Sequence, residues 1–194
     1  MKISCVVEGH GEVEALPLLI RRIASTINPA LTPAIKPPIR VGRQRVFQPY
    51  EFERTIKLAA AKAGDDGIVL FVLDADDDCP FEKCDWIKRE ARRIIPGITI
   101  FAVMAKREFE AWFIAAAESL AGYRGLQDGL LAPEYPEEIR GAKEWLSRRM
   151  DGGRLYRPTM DQTAFAATFD MEMARSRSPS FSKLYRDIQA MFAV

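Results

Sequence analysis

The sequence predicts an α/β protein in which a mostly parallel sheet lies between two layers of helices, followed by a C-terminal helical extension. Short apolar segments rich in β-branched residues alternate with helical patterns up to about residue 122. Such alternation implies right-handed crossovers between parallel strands. Only helical patterns follow. We therefore expect an α/β domain over 1–122 and a helical extension over 123–194 packed on it, the two forming one structural unit.

Each predicted element has a recognisable pattern. The predicted strands cover 3–7, 68–73 and 98–103, and the second of them is an unbroken apolar run, which is typical of a central parallel strand. The predicted helices cover 13–23, 51–63, 81–95 and 109–120, and in the extension 137–150, 162–175 and 182–192. Residues 39–47 follow a proline-rich loop and are interpreted as an edge strand or a basic loop.

Composition and charge exclude several classes of protein. The 194 residues include 28 Lys+Arg and 27 Asp+Glu, so the net charge is +1 and no global field favours nucleic acid. A purely electrostatic nucleic-acid coat protein is therefore excluded. No apolar run approaches the roughly 18 residues that cross a bilayer, and Glu8 interrupts the apolar start too early for a secretory signal. We expect a cytoplasmic protein without a membrane partner.

The cysteines and the single histidine do not indicate a disulfide, a zinc site or a histidine-dependent catalytic site. Cys5, Cys79 and Cys84 are odd in number and lack CxxC spacing, which argues against a disulfide framework and a ribbon-type zinc site. We expect reduced thiols, with Cys5 in a strand. His10 is the only histidine, so every Ser-His-Asp or Cys-His device would have to use it. A zinc site of His10, Cys79 and Cys84 would need three scattered ligands, which is a poor signal.

Four acidic residues follow two predicted strands. Glu8 and Glu12 come after the first strand, and Asp74 and Asp76 come after the apolar run 68–73. In parallel sheets, ligands bind beyond the carboxyl ends of the strands. If these two strands are neighbours, the four carboxylates face one crevice, where they would raise one another's pKa values unless a cation lies among them. The sequence therefore predicts a site for a hard divalent ion such as Mg²⁺.

The turn after Glu8 contains two glycines. Gly9 and Gly11 would let the backbone approach a ligand closely. The turn is neither a Walker motif nor a complete dinucleotide fingerprint, and the glycines are equally well explained by turn geometry alone. His10 lies between them, either in contact with a phosphate or as an exposed turn residue.

These motifs resemble a known group. The segments VEGHGE (7–12) and LDAD (73–76) look like the TOPRIM domain of topoisomerases, primases and OLD-type nucleases. The segment KREFEAW (106–112), together with Tyr156, DQ (161–162) and SFSKL (180–184), is similar to an uncharacterised bacterial family of TOPRIM-like proteins that carry a domain of unknown function. The second resemblance spans nearly the whole chain and implies a TOPRIM-like, Rossmann-like sheet.

The TOPRIM resemblance implies a reaction and roles for individual residues. Glu8 would be the general acid or base, Asp74 and Asp76 would bind Mg²⁺ or Mn²⁺ together with Glu8, and Glu12 would hold the acidic position of nuclease-like members. The reaction implied is phosphodiester cleavage or transfer. The chain lacks the tyrosine-bearing cleavage domain of topoisomerases and the ATPase portion of OLD proteins. We therefore expect a nuclease or a nuclease subunit, with nucleic acid and a separately encoded protein as partners.

Other interpretations remain open. The aspartates from Asp74 to Asp78 would also suit the end of a strand and the first turn of a helix, and Asp78 is an additional candidate ligand. A haloacid-dehalogenase phosphatase is disfavoured because Asp78 stands where that pattern needs a hydroxyl. The chain as a whole has two alternatives to a nuclease: a non-catalytic TOPRIM-like module that assembles with a partner protein in genome defence, and a small-nucleotide hydrolase.

Two further sets of charged residues are candidates for the same crevice. Glu108 and Glu110 follow the strand 98–103, and we expect Glu108 to face the crevice, with a salt bridge to Lys106 or Arg107 as its alternative role. The candidate phosphate-binding residues are Arg43, Arg45, Lys106 and Arg107. Local basic residues of this kind let a neutral protein hold a phosphate backbone, although solvated surface is their ordinary role. No motif for reading bases is present.

Overall fold

The computed structural model describes residues 1–192, in which one parallel sheet lies between two layers of helices. The strands are β1 (Lys2–Val7), β2 (Ala34–Arg40), β3 (Ile68–Asp74) and β4 (Thr99–Ala105). Their order across the sheet is β2-β1-β3-β4, and every neighbouring pair is parallel. The predicted α/β sandwich with a Rossmann-like parallel sheet is confirmed.

The helices follow the strands in the expected alternation. They are α1 (Glu12–Ile27), α2 (Arg43–Val46), α3 (Pro49–Ala63), α4 (Pro80–Ile94), α5 (Ala111–Ala115), α6 (Ala142–Ser147), α7 (Thr163–Thr168), α8 (Met171–Arg177) and α9 (Pro179–Phe192). Single 3₁₀ turns lie at Ala117–Leu120, Tyr123–Gly125, Pro136–Glu138 and Asp151–Gly153, and a π turn lies at Pro158–Gln162. Across residues 1–192, no helix combines the length and the apolar composition that crossing a bilayer requires.

The two faces of the sheet bury different sets of side chains, because successive residues of a strand point to opposite faces. Along β1, Ile3, Cys5 and Val7 join the core that contains α1. Along β3, Val69 and Phe71 join the core that contains α3 and α4. Since α1 packs on one face and both α3 and α4 on the other, the sheet forms the middle layer of three.

The extension completes the core on the α1 face. Phe165 and Phe181 are fully buried and belong to the same apolar cluster as Trp112, Phe113 and the α1 face of the sheet. Phe113 packs edge-on against Phe165, with ring centroids 5.7 Å apart. Residues beyond 122 therefore share one hydrophobic core with the sheet.

The edge strand β2 lies earlier than the sequence indicated. Residues 34–40 form the strand although Pro37 and Pro38 lie within it, and Arg43 begins the short helix α2. The pairing register with β1 shifts between Ser4 and Val6, so β2 carries an extra residue at its prolines. Proline lacks the N–H that a ladder needs and is tolerated on an edge strand or at a bulge. The prediction of an edge strand or basic loop over 39–47 was therefore wrong in position.

The predicted helices of the extension are interrupted. Between Pro136–Glu138 and α6, Gly141 adopts a left-handed conformation with φ 67°. Between α7 and α8 the chain turns at Asp170, whose side chain accepts a hydrogen bond from the Met173 N–H at 2.9 Å and so caps α8. The predictions of continuous helices over 137–150 and 162–175 were wrong because these residues end one helix and begin another.

Candidate functional site

The structure brings the ends of β1 and β3 together at one edge of the sheet. The two strands are neighbours, with Val6 opposite Phe71, and the helices that follow them pack on opposite faces. In this topology, the crevice between two such strands is where an open α/β sheet binds ligands. Glu8 directly follows β1 and Asp74 is the last residue of β3. Both carboxylates therefore lie at the crevice.

Four carboxylates form an acidic cluster here, consisting of Glu8, Glu12, Asp74 and Glu110. Glu12 and Glu110 are almost fully buried. Burial is the largest cause that raises the pKa of all four side chains, and the neighbouring negative charges of the cluster raise the pKa of Glu12 and Asp74 further. The site thus concentrates negative charge where solvent cannot screen it.

Glu12 closes the turn that follows β1. Its Oε2 accepts the backbone N–H of Glu8 at 3.1 Å, and burial raises its pKa to about 7. A Cβ on Gly9 would lie 2.7 Å from Glu12 Oε1, so glycine leaves room for this carboxylate. Glu12 therefore shapes the turn that presents Glu8 and is itself part of the acidic cluster.

Asp74 and Glu8 differ in how their oxygens are satisfied. Asp74 Oδ1 accepts the backbone N–H of Phe109 at 2.8 Å, which ties the end of β3 to the loop after β4. Glu8 Oε2 is buried and has no hydrogen-bond partner among residues 1–192. A buried carboxylate oxygen without a donor is costly unless a cation or another donor reaches it.

Lys143 is a cation that contacts this cluster, and no pattern in the sequence indicates its position there. Its Nζ donates to Glu108 Oε2 at 2.7 Å and to Glu110 Oε2 at 2.9 Å. Burial alone would lower the pKa of Lys143, but the charges of Glu110 and Asp74 outweigh it and raise the pKa. Lys143 lies in α6, more than thirty residues from the two glutamates, and no local pattern links it to them.

Glu110 and Tyr156 form a buried contact within the site. The Tyr156 hydroxyl donates to Glu110 Oε1 at 3.1 Å, and burial followed by the charge of Glu110 raises the pKa of Tyr156. Glu108 instead accepts the N–H of Ala142 at 2.8 Å and binds Lys143. The alternative role of Glu108, a salt bridge to Lys106 or Arg107, is thus absent among the described contacts. Because α5 begins only at Ala111, the two glutamates precede the helix and both reach Lys143.

The aspartates after Asp74 lie in a tight loop around Arg43. The Arg43 guanidinium donates to the backbone oxygens of Asp74 and Ala75, each at 3.0 Å, and forms an ion pair with Asp78. Asp76 lies 3.5 Å from the same guanidinium, is more than half exposed and has φ 48°. Arg43 thus holds the loop after β3 in place, and Asp78 faces Arg43 rather than the cluster.

Each of the predicted phosphate-binding residues has an acidic partner in the structure. Their partners are Asp78 for Arg43, Glu51 for Arg45, Glu138 for Lys106 and Asp77 for Arg107. Arg45 lies on α2 and pairs with Glu51 of α3, whereas Lys106 and Arg107 lie in the loop after β4. Arg107 is the one of these four that lines a cavity beside the acidic cluster.

The two glycines of the turn are required for space rather than for a left-handed backbone. Neither Gly9 nor Gly11 has a positive φ. A Cβ on Gly11 would lie 2.5 Å from the backbone oxygen of Pro158 and would overlap the Gln162 side chain. The helical extension therefore fills the space beside Gly11, and His10 between the glycines is exposed.

The residues present fit a divalent ion held by two carboxylates. Within residues 1–192, no three side chains of His, Cys, Asp or Glu are arranged to hold a metal ion together. Mg²⁺ needs only one or two protein carboxylates, because waters and substrate phosphates complete its octahedron. The unpartnered Oε2 of Glu8, beside Asp74, is the observation that fits such an ion.

Comparison with known proteins places the chain in a family. Neither the curated proteins nor the solved structures gave a match. The model of a domain of unknown function (DUF4276) matches residues 7–189, which include the whole acidic cluster, Lys143 and Tyr156. The chain therefore belongs to the family defined by this domain of unknown function, DUF4276.

Proposed function

We propose that this protein performs Mg²⁺- or Mn²⁺-dependent phosphoryl transfer on phosphodiesters, as a nuclease or as a nuclease subunit. The observation that carries the proposal is the buried Glu8 oxygen without a partner, at the crevice where β1 and β3 end. Burial and then the charges of the neighbouring carboxylates raise the pKa of Asp74, so a divalent cation would relieve a repulsion that Lys143 only partly offsets.

The roles of the residues follow from their surroundings. Glu8 and Asp74 would hold the ion, and waters and a substrate phosphate would complete its coordination. Asp76, exposed on the loop after β3, would add negative charge near the ion. The bound ion would polarise the phosphate and lower the pKa of an attacking water. Glu8, whose pKa is raised by burial, is suited to accept the proton that this water loses as its oxygen bonds to phosphorus and the leaving oxygen departs.

The remaining members of the site would position these groups. Glu12 holds the turn that presents Glu8, since its carboxylate accepts the Glu8 N–H. Lys143 fixes Glu110 and provides positive charge beside the reacting phosphate. A relationship to TOPRIM domains is part of this proposal, and it is supported by the acidic residues after β1 and β3 of a parallel sheet.

A cleavage assay with isosteric variants tests the proposal. Plasmid, single-stranded DNA and RNA are incubated with the protein and either Mg²⁺ or Mn²⁺. We expect metal-dependent cleavage that falls by at least about a hundredfold in Glu8→Gln and Asp74→Asn, since these changes remove a charge that binds the metal. Glu14→Gln is the matched control, because Glu14 is exposed in the first turn of α1. Cleavage that persists in Glu8→Gln would contradict the assignment.

A non-catalytic assembly module is the second candidate. The ion pairs from Lys143 to Glu108 and Glu110 favour it, because an internal lysine already offsets part of the negative charge. This alternative predicts that Mg²⁺ and Mn²⁺ leave the melting temperature unchanged and that the protein forms a stable complex with a separately encoded partner. Cleavage activity that depends on Glu8 would exclude it.

A further inference from the structure

A second charged feature lies beside the acidic cluster, in a cavity of about 330 Å³. The loops after β3 and β4 and the segment before α6 form its walls. It is lined by Asp76, Asp77, Arg107, Glu108, Arg140 and Gly141. Two of these residues are arginines from different segments, so the cavity presents guanidinium groups next to the carboxylates of the proposed metal site.

Both arginines are held by the same carboxylate. Arg140 donates to Asp77 through two nitrogens, at 2.8 Å and 3.1 Å, and Arg107 Nη1 contacts Asp77 Oδ1. Hydrogen bonds from Arg140 and then Arg107 lower the pKa of Asp77. Because the side chains of Asp77 and Arg140 are 68% and 69% exposed, the packing of the core does not depend on their ion pair.

The backbone and the side chain of Arg107 are both more constrained than those of an ordinary surface arginine. Its φ of 63° lies in the left-handed region, which costs free energy for a residue with a Cβ. The hydrogen bond from the Asp76 N–H to the Arg107 carbonyl, at 3.0 Å, joins two left-handed residues on adjacent loops. The side chain is only 17% exposed, and its buried Nε has no partner among residues 1–192. Arg107, which lines the cavity, therefore has one buried donor that no described residue satisfies.

We propose that Arg107 and Arg140 bind a phosphate group of the substrate in this cavity, and that Asp77 occupies the position of that phosphate until the substrate displaces its carboxylate. A phosphate oxygen pair matches the guanidinium fork as a carboxylate does. A phosphodiester carries the same single negative charge as Asp77, and a phosphomonoester carries more at neutral pH. The ligand class is a phosphate ester, either in a nucleic-acid backbone or in a mononucleotide.

The position of the cavity links this phosphate to the proposed reaction, and the inference rests on the proposed function to that extent. Asp76 lines the cavity, and burial followed by the charge of Asp76 raises the pKa of Glu8. Glu108 lines it as well and is bound by Lys143, which also contacts the acidic cluster. A phosphate held by the two arginines would therefore lie beside the carboxylates that bind the metal.

The other charges around the cavity set how strong the binding can be. Glu138 lies 3.7 Å from Arg107 Nη2 and also pairs with Lys106. Asp76 and Glu108 add negative charge to the walls. Because Asp77 contacts both arginines of the cavity, removing its charge is the change that most directly favours a phosphate.

The test is a titration with inorganic phosphate and with a nucleoside 5′-monophosphate, followed by NMR in buffer free of metal and phosphate. We expect saturable binding by the wild-type protein, binding about threefold tighter in Asp77→Asn, and binding about tenfold weaker in Arg140→Gln. The matched controls are Asp65→Asn, on the loop before β3, and Arg54→Gln, an exposed arginine paired with Glu51 on α3. Both controls should bind as the wild type does.

The direction of the Asp77 effect distinguishes this inference from a structural role. Weaker or unchanged phosphate binding in Asp77→Asn would overturn it, as would unchanged binding in Arg140→Gln or the absence of saturable binding in the wild type. Tighter binding of the mononucleotide than of inorganic phosphate would identify a nucleotide as the source of the phosphate, and equal binding would identify the phosphate group alone. The titration contains no metal, so its outcome is independent of the cleavage assay with Mg²⁺ or Mn²⁺. Saturable phosphate binding by a protein that cleaves nothing in that assay would refute the proposed function and leave this site intact.

Discussion

At the scale of single residues, Glu12 couples stability to pH. Burial raises its pKa to about 7 from 4.5, so the folded protein keeps this proton over a range in which the unfolded chain loses it. The contribution of the protonated Glu12 side chain to the free energy of unfolding is therefore fully present below pH 4.5. It is lost as the pH rises through 7. Its size is about 3 kcal/mol, at 1.36 kcal/mol for each pH unit.

This predicts a measurable slope in unfolding experiments. With a chelator present, the free energy of unfolding in urea should fall between pH 4.5 and pH 7.5, and Glu12→Gln should flatten that dependence because glutamine does not titrate. Glu14→Gln should leave it unchanged, since Glu14 is exposed. A wild-type stability that is constant or rises over this range would contradict the burial of an ionisable Glu12.

Arg43 and Arg45 form a matched pair that separates structural from ligand-binding roles. Arg43→Met should lower the free energy of unfolding by about 3 kcal/mol, because it removes charged hydrogen bonds to the carbonyls of Asp74 and Ala75. Arg45→Met should change it by less than about 0.5 kcal/mol, since Arg45 is 66% exposed in one surface ion pair. Thermal or urea denaturation measures both. Equal effects would show that Arg43 does not hold the loop after β3.

The residues of the site differ in how far the sequence could predict them. Glu8 and Asp74 follow apolar runs, so the rule for parallel sheets predicts from sequence that both lie at one edge of the sheet. Lys143 and Tyr156 approach the acidic cluster from the extension, and their proximity depends on packing between distant segments. Sequence spacing contains no information about such contacts.

At the scale of elements, the start of α1 depends on the absence of a side chain at Gly11. Gly11→Ala should destabilise the protein by about 2 kcal/mol, because the new Cβ would overlap Pro158 and Gln162. Gly42→Ala is the control, since that position has φ −63° and open space around it. Melting temperatures of the two variants compare the effects. A Gly11→Ala protein as stable as the wild type would show that the extension does not press on this turn.

The strand predictions are correct where a short apolar run defines the strand. The buried strands β1, β3 and β4 are short apolar runs, and the structure confirms them. The edge strand β2 contains two prolines, which normally argue against a strand. Its position is identified only by its pairing with β1. Gly141 and Asp170 mark the breaks of the extension, and the capping role of Asp170 is a signal that sequence analysis can use.

At the scale of the whole molecule, the extension and the sheet domain depend on each other. Trp112 and Phe113 are fully buried, in a core that includes Phe165 and Phe181 of the extension. A fragment of residues 1–122 should therefore expose this apolar surface and fail to unfold cooperatively, whereas the full chain should show one transition. Near-ultraviolet circular dichroism and calorimetry measure this. A cooperative transition of the fragment would show that the sheet domain folds alone.

The net charge of the molecule conceals a strong local separation of charge. The chain carries +1 overall, yet four carboxylates gather beyond the ends of β1, β3 and β4, and Lys143 contacts Glu110 among them. A protein without a global field can bind a phosphate backbone only through such local arrangements. The proposed phosphoryl transfer therefore requires that the acidic cluster bind a divalent cation.

The most direct test is the melting temperature of the wild-type protein and of Glu8→Gln with and without Mn²⁺. An ion at a hundred times its dissociation constant adds about 2.7 kcal/mol to the stability of the folded state, or roughly 5–10 °C for a chain of this size. We predict that shift in the wild type and its loss in Glu8→Gln. A wild-type protein that does not respond to Mn²⁺, or a Glu8→Gln variant that responds equally, would contradict the account.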